Sequence, residues 1–384
     1  MGKWKFKGSY LSYVITFFFF CFCSGVFSQV LSIYLTGIGK MTSEMTFIVS
    51  SGSLFGIVLI PVFGFVKDRV RKPYMIMTTL LAAGVLSVIF AFTKNTWALF
   101  VLHGLIVGIT SALNPIFENM AGDGKYRYGL VRIWGTIGFA VSSQVAAMLL
   151  DIADPKWIFF VFLLSSVISV SCFFCTGVNA GSTAKEKVTI TEQMSFLKQP
   201  MFLLFALITV LYMSVINLNN TFAPMLLKGL NVSTSFIGTM LLISTMIEVP
   251  LVFFSNKFMN HFSGKLLAAA SCVLLMTQFL VYGFCENIVV VCAAMLLKAV
   301  CSQLFVMTML KVVHGVVKGS AVSTALGLIN CANTVGSIIA HNVSGSFVDT
   351  LGISTLYLVL GGVGALIFVL CMFVKVKDTE DSFF

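Results

Sequence analysis

Apolar residues in this chain come in long unbroken runs, separated by short segments that carry nearly all of the charge. A helix of about 17–25 apolar residues matches the hydrocarbon core of a bilayer, whereas a soluble amphipathic helix interrupts its apolar positions every three or four residues. Twelve such runs can be marked, at 9–36, 45–66, 73–93, 96–120, 128–150, 157–176, 200–227, 233–256, 265–285, 287–311, 319–347 and 353–374. The pattern predicts an all-α membrane protein with 12 transmembrane helices. Several runs exceed the minimum length, which calls for tilt or for extension past the bilayer.

An even number of spans leaves both termini on one side, and the positive-inside rule identifies that side as the cytoplasm. Lys40, Lys94, Lys156 and Lys228 fall on the far side, and Arg132 and Lys298 fall within spans. All others of the 24 Lys and Arg fall on the cytoplasmic side, an alternation that a missed span would scramble. The expectation is a multi-pass, monomeric protein of the cytoplasmic membrane with both termini cytoplasmic.

Composition agrees: the 384 residues are 58% hydrophobic and 10% charged, with mean hydropathy +1.02. The net charge of +10 is accounted for by topology, with some attraction to anionic lipid, and does not point to nucleic acid. Lys3–Lys7 followed by YLSYVITFFFFCFC is too long an apolar stretch for a secretory signal and reads as a retained first span. Nine of the ten cysteines lie in spans and Cys285 lies at the edge of one, without metal-type spacing, so they read as small buried hydrophobes. No metal site and no cofactor is expected. With no catalytic triad or nucleotide loop, the chain does not read as an enzyme.

The one sizeable polar gap, NAGSTAKEKVTITEQMSFLKQP at 179–200, separates six runs from six. It divides the chain into an N-terminal six-helix bundle (1–178), a cytoplasmic central loop (179–199) and a C-terminal six-helix bundle (200–384). The halves begin alike: GIGKMTSEMTFI (37–48) leads to Pro61 and a basic loop, and GLNVSTSFIG (229–238) leads to Pro250 and Lys257. A repeat at about 190 residues suggests two pseudo-symmetric bundles, a plan that sets a solute site near the midplane and works by alternating access.

GFVKDRVRK (64–72) resembles the G-x-x-x-D-R-x-G-R-K signature between spans two and three of the major facilitator superfamily. Gly64, Asp68, Arg69, Arg71 and Lys72 match; the internal glycine is missing and the loop is one residue shorter. The resemblance extends over the whole chain and implies that superfamily's fold, with a cytoplasmic gate at these five residues. Plain topogenic charge is the other reading of the loop.

Arg132 inside a span costs at least ~2.5–3.5 kcal/mol on insertion scales, so it needs a partner or a wet cavity. Glu118 and Glu248 are the acids in the spans. The short loop 121–127 makes spans four and five antiparallel neighbours, so Arg132 either pairs with Glu118 or snorkels to the membrane face. Lys298, in span ten, is placed to face Glu248.

YGLVRIWGTIGF (128–139) is similar to the start of span five in lactose permease-like oligosaccharide:proton symporters and more so in nucleoside:proton symporters, where Arg-x-W-G-T-I-G-F recurs. That resemblance implies that Arg132, Thr136 and Phe139 line the cavity, the first two donating to the solute and the phenyl ring stacking on it. It likewise implies solute contacts from Asn217 and Asn220 in NLNN and from Thr245 and Glu248 in TMIEVP. Glu248 is expected to carry the coupling proton, and Glu118 is the second candidate. Glu248 also reads as a neutral hydrogen-bonding acid or as the partner of Lys298.

The chain departs from the lactose permease pattern. Lys298 is followed at three and six residues by Cys301 and Leu304 where that pattern has His and Glu. Its stacking Trp corresponds to Phe139, and its span-four acid aligns with Asn114. His103 and His341 read as packed, hydrogen-bonded histidines or as proton relays, and Trp134 reads as packing. The resulting expectation is proton-coupled uptake of a small polar solute, a nucleoside first and an oligosaccharide second. Drug efflux is a further alternative, although GTIGFAVSSQVAAML lacks the proline of the antiporter motif. A receptor that kept the fold is the rival from another class.

Overall fold

The structure, a computed structural model, describes residues 7–69, 73–122, 126–177, 197, 199–254, 262–317 and 322–374. Among these residues it is all helix with no strand. Its elements are α1 (Tyr10–Ser28), α2 (Leu31–Gly37), α3 (Thr42–Arg69), α4 (Pro73–Phe92), α5 (Thr96–Gly122), α6 (Tyr128–Ile152) and α7 (Trp157–Thr176). The chain continues through α8 (Pro200–Gly229), α9 (Thr234–Phe253), α10 (Gly264–Phe284), α11 (Ile288–Val316), α12 (Val322–Leu351) and α13 (Ile353–Met372).

α1 and α2 together make the first span, so the helices correspond to twelve spans. The run 9–36, expected as one helix, breaks because Val30 leaves the helical region (φ −119°, ψ 11°). Ends are set by local chemistry. Ser9, Ser263 and Asn287 accept backbone N–H groups as N-caps, Pro200 opens α8, and Gly177 ends α7 in the left-handed region.

Ten helices are long and apolar enough to cross a membrane, and Met77–Phe92 of α4 is a shorter apolar helix. α12 is 30 residues long but falls outside that class. It carries Asn330, Asn333, Ser337, His341 and Asn342, a first sign that one of its faces meets something polar. Large apolar side chains such as Val58, Val85, Leu164 and Leu366 lie on the outside, as lipid contact requires. All ten cysteines are free thiols, with Cys23, Cys272, Cys292, Cys301 and Cys371 buried.

Lipid removes most of the hydrophobic drive for helix association, so small residues and satisfied polar groups must hold the spans together. Buried hydroxyls turn back onto their own helices: Thr16 donates to Ser12 O at 2.7 Å, Ser51 to Ile48 O at 2.6 Å and Thr209 to Phe205 O at 2.8 Å. Close approach is clearest between α1 and α6, where a Cβ on Gly138 would lie 2.4 Å from the carbonyl oxygen of Phe18. That atom is backbone and cannot swing aside. Gly138→Val is therefore expected to cost about 1–3 kcal/mol of stability by overpacking. The check is its melting temperature in detergent; a value equal to that of the unmodified protein would contradict the close contact.

By internal packing the chain falls into two units, residues 1–184 with 231–246, and residues 185–230 with 247–384. In the first, α1 packs on α6 and α7, α3 on α5, and α4 on α7. In the second, α8 packs on α12 and α13, and α10 on α11 and α13. The pairings of spans one with five, one with six and three with six thus recur as seven with eleven, seven with twelve and nine with twelve.

The first half of α9 belongs to the first unit. Asp151, in the last turn of α6, accepts backbone N–H groups of Thr234 (3.1 Å) and Ser235 at the start of α9. A carboxylate there satisfies orphan donors and complements the helix dipole. Thr239 donates to Gln144 Oε1 at 2.8 Å, and Gly238 leaves no room for a Cβ, which would stand 2.4 Å from that of Ala147.

Candidate functional site

In the first unit the polar cluster is built at the start of α6. The helix repeat puts Tyr128, Arg132 and Thr136 at successive i, i+4 positions on one face. Arg132 Nε lies 2.9 Å from Glu118 Oε1 of α5, and Arg132 Nη1 donates to Thr136 Oγ1 at 3.2 Å. Tyr128 Oη donates to the other carboxylate oxygen of Glu118 at 2.6 Å. The guanidinium carbon stands 5.9 Å from the centroid of Phe17 on α1.

Each charged group thus has a direct partner, the condition under which opposite charges survive at low dielectric. The Arg132 side chain keeps 43% exposure, so the cluster is reachable rather than sealed. Phe139, the third expected solute contact, is half-buried with its ring against Gly25 of α1. Trp134 donates to Tyr10 Oη at 3.1 Å, and His103 pairs with Ser51 Oγ at 2.9 Å while stacking on Phe27.

In the second unit Gln303 Nε2 of α11 donates to Glu248 Oε2 at 2.7 Å. Lys298, a half-buried residue also on α11, lies within electrostatic reach of the same carboxylate. Thr245, earlier on α9 and in the part of that helix belonging to the first unit, turns its hydroxyl back to Leu241 O at 3.0 Å.

The three asparagines of NLNN go to three surroundings, because the helix repeat rotates successive residues around α8. Asn217 is half-buried and donates to Ser337 Oγ at 3.3 Å, Asn219 is buried and accepts from Tyr357 Oη at 3.2 Å, and Asn220 is exposed. Asn217 belongs to a seam between α8 and α12 in which two i, i+4 pairs match. His341 Nε2 lies 3.0 Å from Thr221 Oγ1, while its Nδ1 lies 2.8 Å from Ser337 O. This seam accounts for the polar positions that lower the apolarity of α12.

Of the expected gate, Gly64 is exposed near the end of α3. Arg71, Lys72 and the side chains of Asp68 and Arg69 lie outside the described residues, as does most of the central loop 179–199. Among the described residues no group of three or more His, Cys, Asp or Glu is placed to hold a metal ion.

The sequence reading missed Tyr128, Gln303 and Ser337, the last of which meets His341, already read as a packed, hydrogen-bonded histidine or a proton relay. Tyr128 was signalled by its place one turn before Arg132. Gln303 stands five residues after Lys298, between the two positions that the lactose permease pattern directs attention to.

Comparison with known proteins bears on the whole chain. The profile described as "MFS_1 like family" matches residues 10–359. The maltose permease of Geobacillus stearothermophilus is 22% identical over 363 residues, which cover 93% of this chain and 92% of that protein. The lactose permease of Klebsiella oxytoca is 24% identical over 357 residues, 86% of this chain and 85% of that protein. Among solved structures, a point mutant of the nucleoside transporter NupG superposes with a TM-score of 0.82 at 16% identity, covering 94% of this chain and 98% of the other. A structure of NupG without that substitution superposes with a TM-score of 0.77, also at 16% identity, covering 95% of this chain and 98% of the other.

Proposed function

The chain belongs to the MFS_1-like family, a multi-pass membrane transporter by family and fold, and from that premise we propose that it imports a small polar solute by proton symport and alternating access. Sites on superfolds must be argued from their own chemistry. The observation that carries the reading is that each unit holds an acid inside a span on a designated partner: Glu118 on Arg132 and Tyr128, and Glu248 on Gln303. A helix that only needs to cross lipid has no use for either acid.

In this reading Arg132, Thr136, Phe139, Asn217, Asn220, Thr245 and Glu248 contact the solute. Glu248 carries the proton, with Lys298 and Gln303 holding its ionised form, while Glu118 keeps Arg132 aimed. Gly64, Asp68, Arg69, Arg71 and Lys72 form the cytoplasmic gate, and the bundles 1–178 and 200–384 are the moving bodies. No covalent step and no cofactor beyond the proton is required. A nucleoside is the favoured solute, supported by the fold likeness to NupG and by the Arg-x-W-G-T-I-G-F stretch. An oligosaccharide is the second reading, supported by the likeness to maltose and lactose permeases.

The test is uptake by vesicles reconstituted with the protein, given a pH gradient and radiolabelled uridine, adenosine, maltose or lactose. Accumulation of a nucleoside that a protonophore collapses is expected. Flat traces for every compound would overturn the proposal. A subsidiary expectation concerns Gln303→Leu. A hydrogen bond to a charged group contributes about 1.5–3 kcal/mol, so its loss disfavours the ionised carboxylate, and gradient-driven accumulation should fall severalfold while counterflow stays within a few-fold. Accumulation equal to that of the unmodified protein would remove Gln303 from the site.

A further inference from the structure

At the end of the first unit opposite to the start of α1, an open recess of about 470 Å³ lies between the starts of α3 and α5, lined by Ser43, Glu44, Phe47, Asn95, Thr96 and Trp97. It is not an enclosed pocket, and nothing in the transport cycle proposed above uses it.

One wall is aromatic. Phe47 stacks on Phe100 with centroids 4.4 Å apart, and Trp97 stands edge-on to Phe47 at 5.2 Å. Trp97 is held at the recess by the Asn95 turn, whose side-chain oxygen caps α5 by accepting from Trp97 N (2.9 Å) and Ala98 N (3.2 Å). The cap leaves the amide nitrogen of Asn95 as a donor at the rim. The indole itself is 69% exposed.

The other wall is a pre-aimed carboxylate. Glu44 Oε1 accepts from Thr96 Oγ1 and from Lys40 Nζ (3.4 Å), and Oε2 accepts from Met41 N at 3.3 Å. Lys40 also donates to Thr96 Oγ1 at 2.7 Å, which closes the ring. A carboxylate offers about four acceptor positions, so Oε2 retains one while its orientation is already fixed. Lys40 Nζ, 3.4 Å from Oε1, already supplies the carboxylate with a cationic partner.

A flat aromatic face beside a fixed acceptor and an amide donor suits a ring that is apolar on its faces and hydroxylated around its edge. We propose that this recess is an entry subsite for the sugar ring of the transported solute, the ribose of a nucleoside or the pyranose of an oligosaccharide, stacked on Trp97 and hydrogen-bonded by Glu44 and Asn95. The proposal rests on the importer reading and adds to it a second, outer solute contact.

The experiment uses the full chain with Trp97 as its single tryptophan, Trp4, Trp134 and Trp157 being replaced by phenylalanine, in vesicles of plain or brominated lipid. Uridine and maltose are the probes. The expected result is that iodide quenches Trp97, that one of the two probes at millimolar concentration protects it, and that brominated lipid leaves it unquenched. In the otherwise unmodified chain, Trp97→Ala should raise the half-saturating concentration for uptake about fivefold with the maximal rate within twofold, and Trp97→Phe should restore most of the loss. Since the side chain is exposed, neither variant threatens folding. Quenching by brominated lipid with no probe effect, or unchanged kinetics in Trp97→Ala, would overturn the subsite. Protection of Trp97 in a protein that accumulates nothing would instead uphold the subsite and remove the importer reading.

Discussion

Glu248→Gln is expected to leave a carrier that exchanges solute across the membrane but cannot concentrate it. The amide has nearly the shape of the carboxyl, and its oxygen still accepts from Gln303 Nε2, which in the unmodified protein donates to Glu248 at 2.7 Å. What it loses is ionisation. A carrier that never releases a proton on the inside returns solute as readily as it delivers it. A pH difference of one unit supplies about 1.4 kcal/mol per proton, enough for roughly tenfold accumulation. In the variant the ratio should fall to about one, with counterflow within a few-fold of the original. Undiminished accumulation by Glu248→Gln would assign the coupling proton elsewhere, Glu118 being next in line.

The second large effect is expected from Arg132→Ala. Removing the guanidinium takes the partner from Glu118, which sits 2.9 Å from it, and the donor from Thr136. Tyr128 alone then faces the carboxylate. Breaking a pair strands the remaining charge, and that penalty exceeds the net contribution of the intact pair. Two consequences separate under a double substitution. Thermal stability in detergent should drop in Arg132→Ala and recover in Glu118→Ala/Arg132→Ala, because the stranded acid is gone. Solute affinity should weaken roughly ten- to hundredfold in both, as loss of a charged donor implies. If the double variant binds solute as the unmodified protein does, Arg132 is a packing device and not a solute contact.

How far the residues announced this site differs from place to place. Arg132 and Glu118 could be put together from the sequence because a short loop forces adjacent antiparallel helices, leaving few partners for a charge in lipid. Arg132 and Thr136 share a face by the helix repeat alone. The asparagines of NLNN were harder: the repeat shows that they diverge, but not that Asn219 turns to Tyr357 while Asn217 meets Ser337. Gln303 gave no periodic signal, since a polar residue in a largely apolar helix reads the same whether it faces a carboxylate or a neighbouring backbone. The break at Val30 was equally silent, because FSQVLSIY holds no glycine or proline to mark it.

From the amino-acid order alone follow the all-helical membrane class, the run of spans and the expected sidedness of the loops. Those properties depend on hydrophobic length and on where charge sits along one dimension, and lipid thickness reads them directly. Tertiary structure decided which polar side chain meets which: Glu248 with Gln303, His341 with Thr221, Asp151 with the first turn of α9. Such partnerships depend on the rotation and register of one helix against another. Close packing at small residues such as Gly138 and Gly238 sets both, and no local pattern along the chain records the outcome.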